Sequence, residues 1–136
     1  MNFIDMNPMV IEHFRMGADI EGMPGMRDGL LLLTTRGRRT GRRRTAPMGK
    51  FQDGDTIYVV AGNGGKARNP DWYVNLLADP HITVELADET YEAVATPVAG
   101  ADRDRLWELF KQQHPTLADY EASTDRTIPV VAIRRV

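Results

Sequence analysis

The sequence predicts a mainly β fold with added helices: an antiparallel sheet of about six strands closed into a small barrel, with helices packed outside. Two observations lead there. Strand-like segments follow one another as hairpins: residues 45–52 and 56–61 flank the tight turn Asp53-Gly54-Asp55, and the alternating segment 81–86 returns through Asp88-Glu89 as residues 90–98. The regular strand–helix alternation of a parallel doubly wound sheet is absent. At 136 residues and 42% hydrophobic content, the chain is long enough to bury one core without disulfides or metal.

Taken in order, the chain begins with a methionine-rich stretch, since six of its seven methionines fall at positions 1, 6, 9, 16, 23 and 26. Asn7-Pro8 reads as an N-cap followed by proline at the first helical position, with the helix running to about Met16 and ended by Gly17. Met9, Val10, His13 and Phe14 would share one face. Residues 1–27 are therefore expected as an N-terminal helical segment, and residues 28–136 as the barrel domain. That segment has three readings: a cover for the core, a Met-lined flap over an apolar substrate, or a weak contact with a membrane surface. Gly22, Pro24 and Gly25 then break the chain.

Residues 29–35, with four consecutive leucines, read as a strand buried on both faces. The glycine-rich stretch 62–66 is a loop. Asn69-Pro70 repeats the N-cap and first-turn signature ahead of a helix over 71–78, whose Trp72, Leu76 and Tyr73, Leu77 pairs form an apolar stripe. Ile82, Val84 and Leu86 would face inward from the next strand. An amphipathic helix spans 102–113 with Leu106, Leu109 and Phe110 on its apolar face, a short segment covers 115–123, and 128–134 is the closing strand.

Several chemistries are excluded by residue content. The chain has no cysteine, its three histidines are far apart, and Ser123 is its only serine, outside any nucleophile elbow. Residues 62–66 resemble a phosphate loop only superficially, because Val60 and Ala67 stand where the Walker pattern requires glycine and a hydroxyl residue. No apolar run approaches the roughly 20 residues of a membrane span, and no secretory leader is readable. The expectation is a cytoplasmic protein, with membrane association as a second reading. An enzyme of this composition would take its chemistry from a cofactor.

The exceptional feature is the run 36–44, in which six of nine residues are arginine although the net charge is −2. Forked guanidinium groups bind phosphate and carboxylate in pairs, so arginine at this density implies a polyanion. Residues 36–50 contain no aromatic side chain for base stacking, which argues against nucleic acid.

Three blocks together resemble a known family. They are Leu31 to Gly41 with Arg44 and Pro47; Gly64-Gly65 through Asn69-Pro70, Trp72-Tyr73 and Asn75-Leu76; and Tyr120 followed by residues 124–129. They resemble the deazaflavin (F420)-dependent nitroreductase and quinone reductase family of actinobacteria. The resemblance implies a split β-barrel that binds coenzyme F420, whose phosphodiester and oligoglutamate tail would meet the arginine run. By the same resemblance, Arg38, Arg39, Thr40 and Arg44 hold the tail. Ala46, Pro47, Met48 and Gly49 pass one edge of the ring, Val60, Ala61, Gly62 and Asn63 line the other, and Trp72, Tyr73 and Asn75 close the pocket. In the hydride transfer this suggests, the proton would come from solvent or from Tyr120 or Ser123. Asn63 stands where lysine is common in the family, with Lys66 as the candidate replacement, and Tyr120 alone represents a tyrosine-rich substrate wall. The activity implied is hydride transfer from reduced F420 to a small electron-poor acceptor: a quinone, an enone or a nitroaromatic. Two alternatives stand beside it, a non-catalytic F420 carrier and a flavin mononucleotide enzyme of the split-barrel type. The sequence does not specify an oligomeric state.

Overall fold

The computed structural model describes residues 3–17 and 26–136. Seven strands form one antiparallel sheet in the order β2-β1-β5-β6-β7-β4-β3. They are β1 (Leu30–Arg36), β2 (Arg43–Gly49), β3 (Phe51–Asp53), β4 (Thr56–Val60), β5 (His81–Glu85), β6 (Thr90–Val98) and β7 (Val130–Arg135). The helices are α1 (Phe3–Arg15), the single turn α2 (Met26–Gly29), α3 (Asp71–Ala78), α4 (Gly100–Gln113) and α5 (Thr116–Ala122).

The closure of the sheet follows from one covalent constraint. β2 and β3 lie at opposite ends of the strand order, yet only Lys50 separates them in the chain. Gly49 and Phe51 are two Cα steps apart, at most about 7 Å, so the two ends can meet only if the sheet curls into a barrel. This corrects the expected single strand over 45–52. The chain bends at Lys50 because no straight strand could pair with β1 and β4 together. The sheet therefore has seven strands rather than six. β2 approaches β4 across the closure, but β3 covers only Thr56, Ile57 and Tyr58 of β4. Beyond Tyr58 the barrel is split.

Strand alternation sorts the side chains. Leu31 and Leu33, Val59, Ile82 and Val84, Ala93 and Ala95, and Val131 and Ile133 point inward and form one core with Leu76 of α3. The other face of β4 and β7, through Tyr58, Val130 and Ala132, packs against Leu106, Trp107 and Phe110 of α4 and Leu117 of α5. Leu106 and Phe110 are buried as expected, Leu109 is only partly so, and Trp107 is a core residue that the helical reading left out. Leu77 is 55% exposed, so the α3 stripe narrows to Trp72, Tyr73 and Leu76.

Two N-cap expectations fail. α1 begins at Phe3, so Pro8 lies inside the helix, where it forfeits one backbone hydrogen bond. Gly17 does end it, at φ 79° with its N–H donated to Phe14 O. Val10 and Phe14 are buried, whereas Met9 and Met16 are exposed. α1 packs on β2 and is tied to β5 by a two-pronged Arg15–Glu85 pair at 3.0 and 2.8 Å. At α3 the cap residue is Pro70, with no capping side chain. Asn69 instead accepts from Arg126 Nη1 at 2.8 Å. Gly22, Pro24 and Gly25 lie outside the described residues.

Candidate active site

The strand registers gather the unusual residues at one end of the barrel. Arg36 pairs with Arg43, Thr34 with Thr83, and Val60 with Val130. The arginine loop, the 61–66 loop and α3 therefore share a rim. The opposite end holds a cavity of about 230 Å³ whose lining includes Ile57, Leu86, Tyr91 and Ile133. There Arg135 lies over Tyr91 and is paired at 2.6 Å with Glu89.

The arginine loop is folded on itself. Gly37 N–H donates to Arg42 O (2.7 Å), Gly41 N–H to Gly37 O (2.8 Å) and Arg42 N–H to Thr40 Oγ1 (3.2 Å). Thr40 thus uses its oxygen inside the loop and keeps its hydroxyl hydrogen to donate. Gly41 sits at φ 72°, a backbone state that other residues rarely adopt. Arg38 is committed elsewhere. Its backbone N–H and Nη1 both donate to Asn75 Oδ1 (3.2 and 2.8 Å), and Nη2 lies 3.6 Å from Asp71. Asn75 is 4% exposed and donates on to Thr35 Oγ1 at 3.4 Å. Arg38 and Asn75 form the joint between the loop and α3.

Arg39, Arg42, Arg43 and Arg44 are exposed and form no ion pair with any described residue. Strand alternation then separates them. Arg44 lies opposite the buried Thr35, Ala46 opposite Leu33 and Met48 opposite Leu31, so these three share the inner face. Arg43, Pro47 and Gly49 lie on the other face. Pro47 costs nothing to the ladder here because β2 is an edge strand with a free outer side.

Across the split, Val60 turns its side chain toward the α4–α5 cluster, so it can line the split only with backbone atoms. Asn63 adopts φ 50° and donates Nδ2 to Arg68 O at 2.9 Å. Trp72 and Tyr73, edge to face at 6.3 Å, pack on the inner core. Tyr120 and Ser123 both sit on the 62–65 loop. A Cβ on Gly62 would lie 2.9 Å from Tyr120 Cδ2, and one on Gly65 would lie 3.0 Å from Ser123 Cβ. Those glycines make room for α5. Ser123 donates its hydroxyl to Asp119 O at 2.8 Å, whereas the Tyr120 hydroxyl has no partner among the described residues.

Arg126, in the third family block, ties this region together. Arg126 donates Nε to Lys66 O (2.9 Å), Nη1 to Asn69 Oδ1 (2.8 Å), and Nη2 to Ala61 O (3.1 Å) and Gly62 O (2.8 Å). This is why Asn69 does not cap α3.

The donor set suits a flat heteroaromatic ring carrying an anionic chain. The split is bordered by the free edge of β2 and the uncovered end of β4, whose backbone groups lack partners among the described residues, and arginines likewise unpaired stand at its mouth. Fold and site together define a split-barrel protein built to hold such a cofactor. The F420H(2)-dependent quinone reductase family model matches residues 10–134, and the chain belongs to that family. An F420H(2)-dependent quinone reductase of Mycobacterium tuberculosis is 36% identical over 124 residues, spanning 89% of this chain and 80% of the relative. The solved structure of an F420-H2 dependent reductase (FDR-A) superposes with a TM-score of 0.71 at 31% identity, covering 78% of this chain and 94% of that one. A second solved structure, described as a domain-swapped dimer, gives a TM-score of 0.74 at 27% identity, covering 98% and 100%.

Proposed function

We propose that this protein is an F420H2-dependent reductase whose acceptor is a small quinone, and that the cofactor occupies the split between β2 and β4. The observation that carries the reading is the placement of unpaired arginines at the mouth of a split bordered by unpaired backbone. Coenzyme F420, when bound in reduced form, supplies a hydride from C5 of its deazaflavin ring.

The chain's own residues would do the rest. Arg39 and Arg44 neutralise the phosphate and carboxylates of the tail, and the Thr40 hydroxyl adds a donor. Ala46 and Met48 on one side, with the backbone of Val60, Ala61, Gly62 and Asn63 on the other, fix the plane of the ring. Trp72 and Tyr73 exclude water from the inner end. Tyr120 would border the acceptor, and its hydroxyl, unpartnered among the described residues, would donate the proton that accompanies hydride in making a quinol. Ser123 would first have to surrender its bond to Asp119 O, which makes it the weaker donor.

The test is to mix the protein with reduced F420 and menadione and to follow the absorbance of the oxidised cofactor. Enzyme-dependent oxidation supports the reading. Saturable binding without turnover of menadione, cyclohexenone or a nitroaromatic refutes it in favour of a carrier.

A further inference from the structure

We propose that Arg126 is the positioning residue of the cofactor pocket: one guanidinium that both braces the 61–69 loop and places a positive charge behind the amides of Gly62 and Asn63. This rests on the function proposed above.

Arg126 lies between α5 and β7 and is partly buried. It forms no ion pair with a described carboxylate. All four of its side-chain bonds go to neutral oxygens, three of them backbone carbonyls of a single loop. Burial lowers its pKa, yet arginine stays protonated in any protein environment. The loop therefore carries a positive charge with no described counter-ion, partly shielded from water, where charge acts more strongly than in bulk solvent.

The direction of those carbonyls matters. Across a trans peptide the N–H points opposite to the C=O. With Ala61 O and Gly62 O turned to the guanidinium, the N–H groups of Gly62 and Asn63 point away from it. Neither has an acceptor among the described residues, although Ala61 N–H and Gly65 N–H are both satisfied. Gly62 is itself buried. Two adjacent donors so left need an acceptor, and a charge bonded to their own peptide groups strengthens them as donors. The class of ligand that fits is a ring edge bearing a carbonyl or a deprotonated nitrogen, favoured when the ring carries negative charge. The fork geometry also explains why lysine would not serve. One ammonium cannot reach Lys66 O, Asn69 Oδ1 and the Ala61–Gly62 pair at once.

The bracing and charge roles separate experimentally. Amide hydrogen exchange of the cofactor-free protein reads the bracing: residues 61–69 exchange at least about tenfold faster in Arg126→Gln and in Arg126→Lys than in wild type, from the loss of charge-assisted bonds. Fluorescence titration with oxidised and reduced F420 reads the charge. In Arg126→Gln the reduced form loses at least about tenfold more affinity than the oxidised form, and Arg126→Lys retains most of that preference. Asn69→Ala, which removes one of the four bonds and leaves the charge, gives partial loss of protection and no change in preference. Unchanged exchange in both Arg126 variants overturns the bracing role. Equal losses for the two redox forms in Arg126→Gln overturn the charge role. Failure of wild type to bind F420 would instead refute the proposed function.

Discussion

The contact between α5 and the 62–65 loop makes the sharpest stability prediction. Gly62 has ordinary right-handed helical angles, φ −71° and ψ −35°, so alanine meets no backbone strain there. The obstacle is Tyr120, whose ring would lie 2.9 and 3.3 Å from the new Cβ, where ordinary contact begins at 3.4 Å. The ring must move by about 0.5 Å or the loop must yield, an overpacking cost of about 1–2 kcal/mol for a half-buried side chain. For a chain of this length that lowers the melting temperature by about 3–7 °C. In a Tyr120→Ala background the space is open. Gly62→Ala should then be neutral, or stabilising by about 0.5 kcal/mol through the unfolded chain. Thermal denaturation of the four proteins of the cycle therefore gives a coupling energy of about 1.5 kcal/mol. The same cost for Gly62→Ala in both backgrounds would refute the packing of α5 on this loop.

Asn75→Ala removes the buried acceptor shared by two Arg38 donors and the donor to Thr35, so it should destabilise by about 1–3 kcal/mol in denaturant melts. Glu121 supplies a pH prediction. Burial raises the pKa of its carboxyl, but the Trp107 indole and Lys111 ammonium that it accepts from outweigh burial and hold it below the ordinary glutamate range. The unfolded chain then binds the extra proton first. Stability from this group is complete above the ordinary glutamate pKa and is lost as pH falls through the lower, folded value. Glu121→Gln should flatten the acid limb of a melting-temperature profile, and an unaltered limb contradicts the assignment.

What the sequence made legible was local. α3 and β6 occupy the residues expected, 71–78 and 90–98, because Pro70, Pro80 and the Asp88-Glu89 turn punctuate them and their apolar spacing is regular. The break at Lys50 was not legible, since it exists only because two sheet ends separated by the whole strand order must meet. Asn69 was misread as a cap for a similar reason: its partner, Arg126, lies 57 residues away. Trp107 escaped notice because it is buried beside Leu106 rather than at the spacing of the apolar stripe. Within the arginine run the residues alone show charge density, and the family resemblance singles out Arg38, Arg39 and Arg44. The register of β1 with β2 adds that Arg44 and Arg43 lie on opposite faces, and α3 that Arg38 is occupied.

On the function proposed above, the arginines at the mouth of the split hold an anionic deazaflavin. Fluorescence titration of wild type and the Arg39→Ala/Arg44→Ala double variant, with F420 and separately with flavin mononucleotide, tests it most directly. Wild type should bind saturably and prefer F420, and the double variant should bind it about tenfold or more weakly through lost charge-assisted bonds. Unchanged F420 affinity in that variant, or a wild-type preference for flavin mononucleotide, would contradict it.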